Sequence, residues 1–564
     1  MPNPDFSPKK RLHTGISFHN APAFWAGTLL TIVGVLLHMP DYIMAADMGY
    51  RMIGMEMSMW MNVGMGAILL GMALATWGLM PRKETLGRLN KSAVEGVHFR
   101  AMDSAHLTGA HWGLLFVLGV ALIIDVMKPA TLGFVMPGTK EEYGLTTGQI
   151  ALLPLSGLTG TTIGSIVWGI LADKMGRRAS ILLASVMFIG TSICGFMPSW
   201  YWNLFMCFVM GLSAGGMLPI VYALMAESVP SKNRGWLVVL HGGMGTVGGY
   251  LLASGFAALL EPQFTWRILW FVGLPTGVIL LFLNRWIPES PRYLLERGRV
   301  EEAKAVMARY GVVLERDDEV NSPVPAPVAT NGREERVSQW GGLIRLFQMP
   351  YLPRTMTVFL YGLGWGLVNW GFLTFVPTFL ADAGFARSTA SGLLFLSSIL
   401  AVPGTILVAY LYGMWSSKKS MILYAMATAA TMVGFALLDT TVAAEVNLTM
   451  LTVLVVMLLV ASGGVISMLS PYTAEVFPTH LRGSGSGLAA GSSKLGGILG
   501  PPLIAGLLAG TSSLAIPALV VAAPIAISAG VLALIGVETR GRTLEDITSD
   551  DAIPAPGAEA PGVL

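Results

Sequence analysis

The feature that most restricts the fold is a series of fourteen apolar stretches, each ~18 residues or longer, the length an α-helix needs to cross a bilayer. They lie near 22–40, 57–80, 112–136, 149–172, 179–197, 202–226, 236–260, 266–286, 355–380, 389–415, 420–438, 447–471, 484–509 and 514–537. Only helices and closed barrels satisfy every backbone N–H and C=O inside hydrocarbon, and runs this long are helical. Charged residues are 12% of the chain and hydrophobic ones 54%, about half the usual charged share of a soluble domain. The expected fold class is an all-α membrane protein with fourteen spanning helices.

The Lys and Arg residues set an orientation. With Lys9, Lys10 and Arg11 placed in the cytoplasm, the outer connections hold only Arg51, Lys140, Arg267 and Arg387. Lys128 and Lys494 fall inside helices, and the other 29 of the 35 basic residues lie on the cytoplasmic side. Both termini are therefore expected inside, in a plasma (inner) membrane. The first run is long for a signal-peptide core and is followed by Pro40 and Asp41 rather than a small-residue cleavage site, so a retained anchor is expected. A net charge of +2 offers no basic face for nucleic acid. Cys194 and Cys207, both within helices, give no disulfide framework.

The chain divides into a cytoplasmic N-terminal tail (1–21), a Met-rich two-helix extension (22–80), a cytoplasmic linker (81–111), a six-helix half (112–286), a central loop expected to be partly disordered (287–354), a second six-helix half (355–537) and a tail (538–564) disordered at its end. The halves echo one another. AESVPSKNRG (226–235) recurs as AEVFPTHLRG (474–483), aligning Glu227 with Glu475 and Arg234 with Arg482. The charged turn GILADKMGRR (169–178) has a weaker echo in MWSSKKSMIL (414–423), where Lys418 and Lys419 match Arg177 and Arg178 and Met414 replaces Asp173. Duplicated six-helix halves describe a rocking transporter with its site near the bilayer midplane. In the charged turn, Gly169 is expected to let a helix end approach its neighbour, Asp173 to favour a helix N-terminus, and Arg177 and Arg178 to bind carboxylates.

These motifs resemble the major facilitator superfamily. GILADKMGRR, with Gly169, Asp173, Gly176, Arg177 and Arg178, is similar to that family's loop motif between its second and third helices. PESPRYLLERGR (288–299), with Glu289 and Arg292, and ETRGRTLEDI (538–547), with Glu538 and Arg540, resemble the turns closing each half in its sugar-porter and organic-acid branches. The resemblance implies a twelve-helix fold of two pseudo-symmetric halves, here with two added N-terminal helices. It also implies cytoplasmic charge pairs among Asp173, Arg177, Arg178, Glu227, Arg234, Glu289, Arg292, Glu475, Arg482, Glu538 and Arg540 that hold an outward-open state.

No phosphate loop occurs, nor any Gly-Lys dipeptide, so ATP is not the energy source; no cofactor is implied and a proton gradient is expected. Ionisable residues within spans are costly and default to functional candidates: Asp125, Lys128, His241 and Lys494. Asp125 and Lys128 are three apart and share a helix face, either as an internal ion pair or with Asp125 carrying a proton and Lys128 attracting an anion. Aromatic-acid/proton symporters of the superfamily carry D-G-x-D at this place, where the chain reads D-V-M-K. Lys494 is a second anion contact or a structural pair, and His241 a proton relay or a hydrogen-bonded structural group.

Hexose carriers of the superfamily hold sugars with amides on helices five and seven, but spans 236–260 and 355–380 contain no Gln and one Asn, Asn369. Tyr361, Trp365 and Asn369 fall at i, i+4, i+8, beside Trp370, and such an aromatic face suits a flat ligand. The extension holds 11 of the 33 methionines. Met57, Met61 and Met65 form a stripe, and His38, Met39, Asp41, Met44, Asp47, Met48 and Met55 lie near the outer face; thioether and imidazole suit Cu(I), while Met is also a flexible packing residue. The expected function is proton-coupled symport of a small organic anion, with aromatic carboxylates among the candidates. Metal uptake, sugar or polyol transport and a non-transporting sensor remain open alternatives. No catalytic centre or metal site is expected, and the partners are a small-molecule substrate and the bilayer.

Overall fold

Each apolar run closes its own backbone hydrogen bonds as a helix. The computed structural model describes residues 18–81, 106–312, 339–438, 448–478, 481–510 and 513–540. Expectations for the tail through residue 17 with its Lys9, Lys10 and Arg11, for 82–105, for 313–338 and for the tail beyond 540 lie outside the described residues. Helices α1 (Ala21–Leu36) and α2 (Met59–Leu79) form the extension. The first half comprises α3 (Gly109–Tyr143), α4 (Leu152–Met175), α5 (Arg177–Gly190), α6 (Trp200–Ala214, resumed as Met217–Ser228), α7 (Ser231–Phe264) and α8 (Ile268–Phe271, resumed as Gly273–Leu283). The second comprises α9 (Leu352–Gly366, resumed as Thr374–Asp382), α10 (Arg387–Tyr410), α11 (Ser417–Leu437), α12 (Leu448–Val476), α13 (Arg482–Gly510) and α14 (Ala515–Ile535). Among the described residues 13 spans are both long and apolar enough to cross a membrane; α13, diluted by Gly, Ser, Arg482 and Lys494, brings the bundle to the expected fourteen. The described ends of the central loop fold as short helices Pro291–Glu296, Val300–Arg309 and Gln339–Leu346.

The extension is held by glycine rather than methionine. Gly27 and Gly34 on α1, and Gly64, Gly71 and Gly78 on α2, recur every seven residues, close to two helical turns, so each set makes one stripe. A Cβ on Gly27 would sit 2.5 Å from the Gly71 carbonyl oxygen, and one on Gly34 2.7 Å from that of Gly64. The backbones touch, the packing that small residues allow where lipid supplies no hydrophobic drive. Of the methionine stripe, Met61 is buried and Met57 and Met65 pack half-buried on the same core. His38 Nδ1 bonds to the Gly34 carbonyl at 2.8 Å. Among the described residues no cluster of three or more His, Cys, Asp or Glu suits a metal ion. The hairpin docks on α5, where Gly190 meets Ile68, Met72 and Thr31.

The charged turn locks the first half at what we call the basic-turn face. Gly176 joins α4 to α5 at φ +98°, a left-handed value, and a Cβ there would lie 2.4 Å from Glu289 Oε2. That space lets buried Glu289 accept from the Arg177 N–H at 2.8 Å and the Arg178 N–H at 3.3 Å, capping α5 with negative charge. Burial pushes the Glu289 carboxyl up to about 7, against the downward pull of the Ser290, Arg178 and Arg177 N–H groups and the Arg177 charge. Arg177 pairs with Asp173 at 3.2 Å and Glu227 at 3.3 Å, while Arg178 gives its Nε to Asn284 at 3.1 Å. Gly169, expected to permit a close approach, instead faces open space; Gly176 is the glycine the turn requires.

The second half repeats the cap with hydroxyls. Glu538 accepts from the Ser417 N–H at 3.0 Å and from the Ser416 and Ser417 hydroxyls at the start of α11. Partial burial raises its carboxyl, but these bonds and the Arg540 N–H outweigh it and leave it below the ordinary value. The cap residues Gly176 and Ser416 are thus equivalent, which shifts the sequence echo by one: Lys418, not Lys419, stands where Arg178 does. Glu475, the counterpart of Glu227, accepts from Tyr412 at 2.8 Å and Thr539 at 2.6 Å. Arg234 donates to the Val229 carbonyl at 2.9 Å and Arg540 to that of Trp415 at 2.9 Å. These bonds join elements within one half. Arg482 Nε is buried without a hydrogen-bond partner among the described residues, and Arg292 follows Glu289 at the start of the short loop helix.

Two substitution pairs test this packing. Gly71→Ile forces backbone against side chain and is expected to cost about 1–3 kcal/mol, lowering the melting temperature in detergent, whereas Gly66→Ile, with nothing within 4 Å, leaves it unchanged. Gly176→Ala combines the φ cost of about 1–3 kcal/mol with displacement of Glu289, so its melting temperature falls well below that of Gly169→Ala. Equal effects within either pair would contradict the assigned contacts.

Candidate functional site

Between the halves lies a cavity with about 1070 Å³ of empty space, part of it open to solvent. Its walls come from α3, α4 and α6 of the first half and from α9, α12 and α13 of the second. The lining residues run from mid-helix, at Asp125 and Trp370, to within a few residues of the helix ends at Ser486 and Tyr222, so the cavity extends from the bundle centre toward the basic-turn face. On the far face the halves are pinned together. Lys140 pairs with Asp382 at 2.6 Å, and Arg387 reaches both Glu141 and, at 3.6 Å, Glu261. The pairs that cross between halves therefore close the far face. At the basic turns, the ion pairs of Arg177 with Asp173 and with Glu227 lie within the first half.

Two charged side chains line the cavity, one from each half: Asp125 on α3 and Lys494 on α13. Pro129 inside α3 and the small residues preceding Lys494 (GSGSGLAAGSS) leave room for them. Lys494 Nζ donates to the Thr161 carbonyl on α4 at 3.0 Å, bridging the halves. Its charge also acts on Asp125, whose carboxyl has no hydrogen-bond partner among the described residues. An acidic and a basic side chain lining one cavity from opposite halves form a site that a charged ligand can divide.

Lys128 is not part of it. Asp125, Val126 and Pro129 turn one side of α3 to the cavity, and Lys128 points to α5 instead. There Nζ donates to the Phe188 carbonyl at 2.5 Å and the Thr191 hydroxyl at 2.6 Å and lies 3.9 Å from the Phe188 ring centroid. Both expectations for Lys128, the ion pair with Asp125 and the anion contact, are corrected: carbonyl, hydroxyl and ring satisfy the ammonium on the wrong side of its helix. His241 is likewise outside the cavity. Its ring bridges α7 to α3, with Nδ1 2.8 Å from the Leu237 carbonyl and Nε2 2.8 Å from that of Leu115, a structural link rather than a relay.

The aromatic face of α9 is real but rotated. A π turn over Leu367–Leu373 inserts into the helix, and such turns frequently mark functional sites. The wider turn brings Trp370, five residues beyond Trp365, to the same wall. Their ring centroids are 6.1 Å apart at 85°. Trp365 Nε1 is buried with no hydrogen-bond partner among the described residues. The register expected from i, i+4, i+8 fails at its ends: Tyr361 donates to the Met421 carbonyl at 3.3 Å, and Asn369 faces Ser462 at 3.5 Å. Among the described residues no Asn or Gln lines the cavity. Sequence reasoning missed Thr161, Tyr222, Ser470 and Ser493, whose signal was weak: single hydroxyls in apolar spans.

Comparison with known proteins agrees with this architecture. The family model described as "Sugar (and other) transporter" matches residues 116–550. The chain is 25% identical over 442 residues to the niacin transporter NiaP of Acinetobacter baylyi, covering 78% of this chain and 96% of that protein. It is 25% identical over 427 residues to the benzoate transport protein of the same organism, covering 72% and 85%. Among solved structures, the proton:xylose symporter XylE bound to 6-bromo-6-deoxy-D-glucose matches with a TM-score of 0.59 at 18% identity, over 78% of this chain and 98% of that one. An inward-open form of XylE from E. coli matches with a TM-score of 0.58 at 15% identity, over 78% and 99%. The overlay extends the twelve-helix fold to this chain, and the matched relatives are transporters, not enzymes. With the family model matched across both six-helix halves, the protein belongs to the sugar (and other) transporter family of the major facilitator superfamily, an integral membrane transporter of a small molecule.

Proposed function

We propose that this transporter carries a small aromatic monocarboxylate, of the nicotinate or benzoate kind, together with a proton. The observation that carries the reading is the cavity's charge arrangement: Lys494 from one half and Asp125 from the other, beside Trp365 and Trp370, with no amide for a sugar. In the empty site Asp125 balances Lys494. An arriving carboxylate competes for the same ammonium, and two anions on one cation inside a low-dielectric bundle are costly. Protonation of Asp125 restores balance, so the loaded cavity is as neutral as the empty one and the halves reorient in either state. Trp365 and Trp370 offer edge and face to a flat ring. Niacin and benzoate relatives and the positions of Lys494 and Asp125 support this reading.

In the same proposal the basic-turn face is cytoplasmic, following the Lys and Arg bias. Both termini then lie inside a plasma membrane, and the state described, with a sealed far face and a cavity running to the basic-turn face, is inward-facing. Reopening requires that Lys140–Asp382 and Arg387–Glu141 separate.

Ligand-induced stabilisation of the purified protein checks the substrate class, since a ligand that binds only the folded state raises its melting temperature. Nicotinate or benzoate is expected to raise it and xylose is not. Lys494→Ala is expected to weaken carboxylate affinity by roughly 10- to 100-fold, the size of a charge-assisted bond. Asp125→Asn retains binding but renders uptake into vesicles insensitive to an imposed pH gradient. Unchanged carboxylate affinity in Lys494→Ala, or full gradient-driven uptake by Asp125→Asn, would overturn the respective assignment.

A further inference from the structure

The two-helix extension has no counterpart in the matched family region, and its connecting segment ends at the gate. Tyr42 is buried, donates its hydroxyl to the Phe264 carbonyl at the end of α7, and stacks on Tyr50 and Phe196 at 4.9 and 5.0 Å. Tyr50 holds φ +57°, uncommon for a non-glycine residue, and is wedged against Phe264 at 5.8 Å. The Met52 N–H donates to Glu142 Oε1 at 3.0 Å. Glu142 is itself fixed by Arg267 at 2.7 Å and Trp266 at 2.9 Å. The segment is therefore bolted to the first half at three points, and between two of them it projects Arg51 onto Glu141 at 3.4 Å. Glu141 is the carboxylate that Arg387 of the second half also grips.

We infer that Arg51 is a charge-exchange residue of the far-face gate, by which the N-terminal extension lowers the cost of opening it. Arg51 and Glu141 ride on the same rigid half, whereas Arg387 belongs to the other. When the halves part, Arg387 leaves Glu141 and Arg51 stays, so the carboxylate never loses its cation. In the closed state Arg51 competes with Arg387 and weakens the latch; in the open state it compensates for the departure. Both effects favour opening. The inference rests on the alternating-access reading above but not on the choice of substrate or on proton coupling.

The test places spin labels at Tyr201→Cys on the first half and Ser388→Cys on the second, both exposed, with Cys194 and Cys207 left in place because they are buried. Distances are measured in the full chain in lipid nanodiscs, in a Lys140→Gln background whose weakened latch populates closed and open states together. Arg51→Gln is expected to cut the long-distance share by a factor of roughly two to five, the scale of an exposed ion pair. Arg51→Lys restores it, and once Glu141→Gln is present Arg51→Gln changes nothing further. An unchanged or increased long-distance share in Arg51→Gln overturns the inference while leaving the gate intact. If Lys140→Gln and Arg387→Gln both give the short distance alone, the far-face latch and the alternating-access reading fail with it.

Discussion

The structure turns on one ammonium group. Lys494 sits mid-bundle, on a helix of the second half, and donates its hydrogen bond to the first half's Thr161 carbonyl, in a cavity it shares with the first half's Asp125. A lone charge at such depth is expensive, so neither half is electrostatically complete without the other. The surrounding features follow from keeping that group both satisfied and reachable. Small residues on α13 leave the space, the π turn on α9 moves Trp370 into the wall, and Lys128 is drawn off to Phe188 and Thr191, so that among the described residues only Lys494 brings a cation to the cavity.

Duplication explains the skeleton, and divergence explains the asymmetry. The glutamate that follows the sixth helix of each half, Glu289 or Glu538, caps the third helix of that half through backbone N–H groups. In the first half a cluster of ions surrounds this cap. In the second, Ser416, Ser417, Thr539 and Tyr412 take over, giving neutral donors to Glu538 and Glu475. Hydroxyls hold the same geometry with less sensitivity to salt and to the field of neighbouring charges. The far face reverses the logic: Lys140–Asp382, Arg387–Glu141 and Arg387–Glu261 cross between halves and are the bonds that a change of state must exchange.

The spans, the two halves and the charged turn were legible because hydropathy and motif spacing are local properties of the chain. Which side of a helix faces the cavity was not. Lys128 and Lys494 are alike as sequence, single cations in apolar runs, and only the packing of α3 against α5 and of α13 against α4 separates them. The aromatic face of α9 was readable in composition but not in register, since a π turn displaces every later side chain by one position. Gly169 and Gly176 were both plausible hinge glycines, and φ at Gly176 decided between them. In the extension the methionines drew attention while the seven-residue glycine repeat, equally visible, carries the packing.

The most direct test of the central claim is proton movement coupled to substrate. Protein reconstituted into vesicles without a pH gradient and loaded with a pH-sensitive dye would be given nicotinate or benzoate externally. Coupled entry predicts interior acidification that is lost in Asp125→Asn and in Lys494→Ala. Carboxylate accumulation with no interior acidification, or acidification that persists in Asp125→Asn, would contradict a shared charge balance between Asp125 and Lys494.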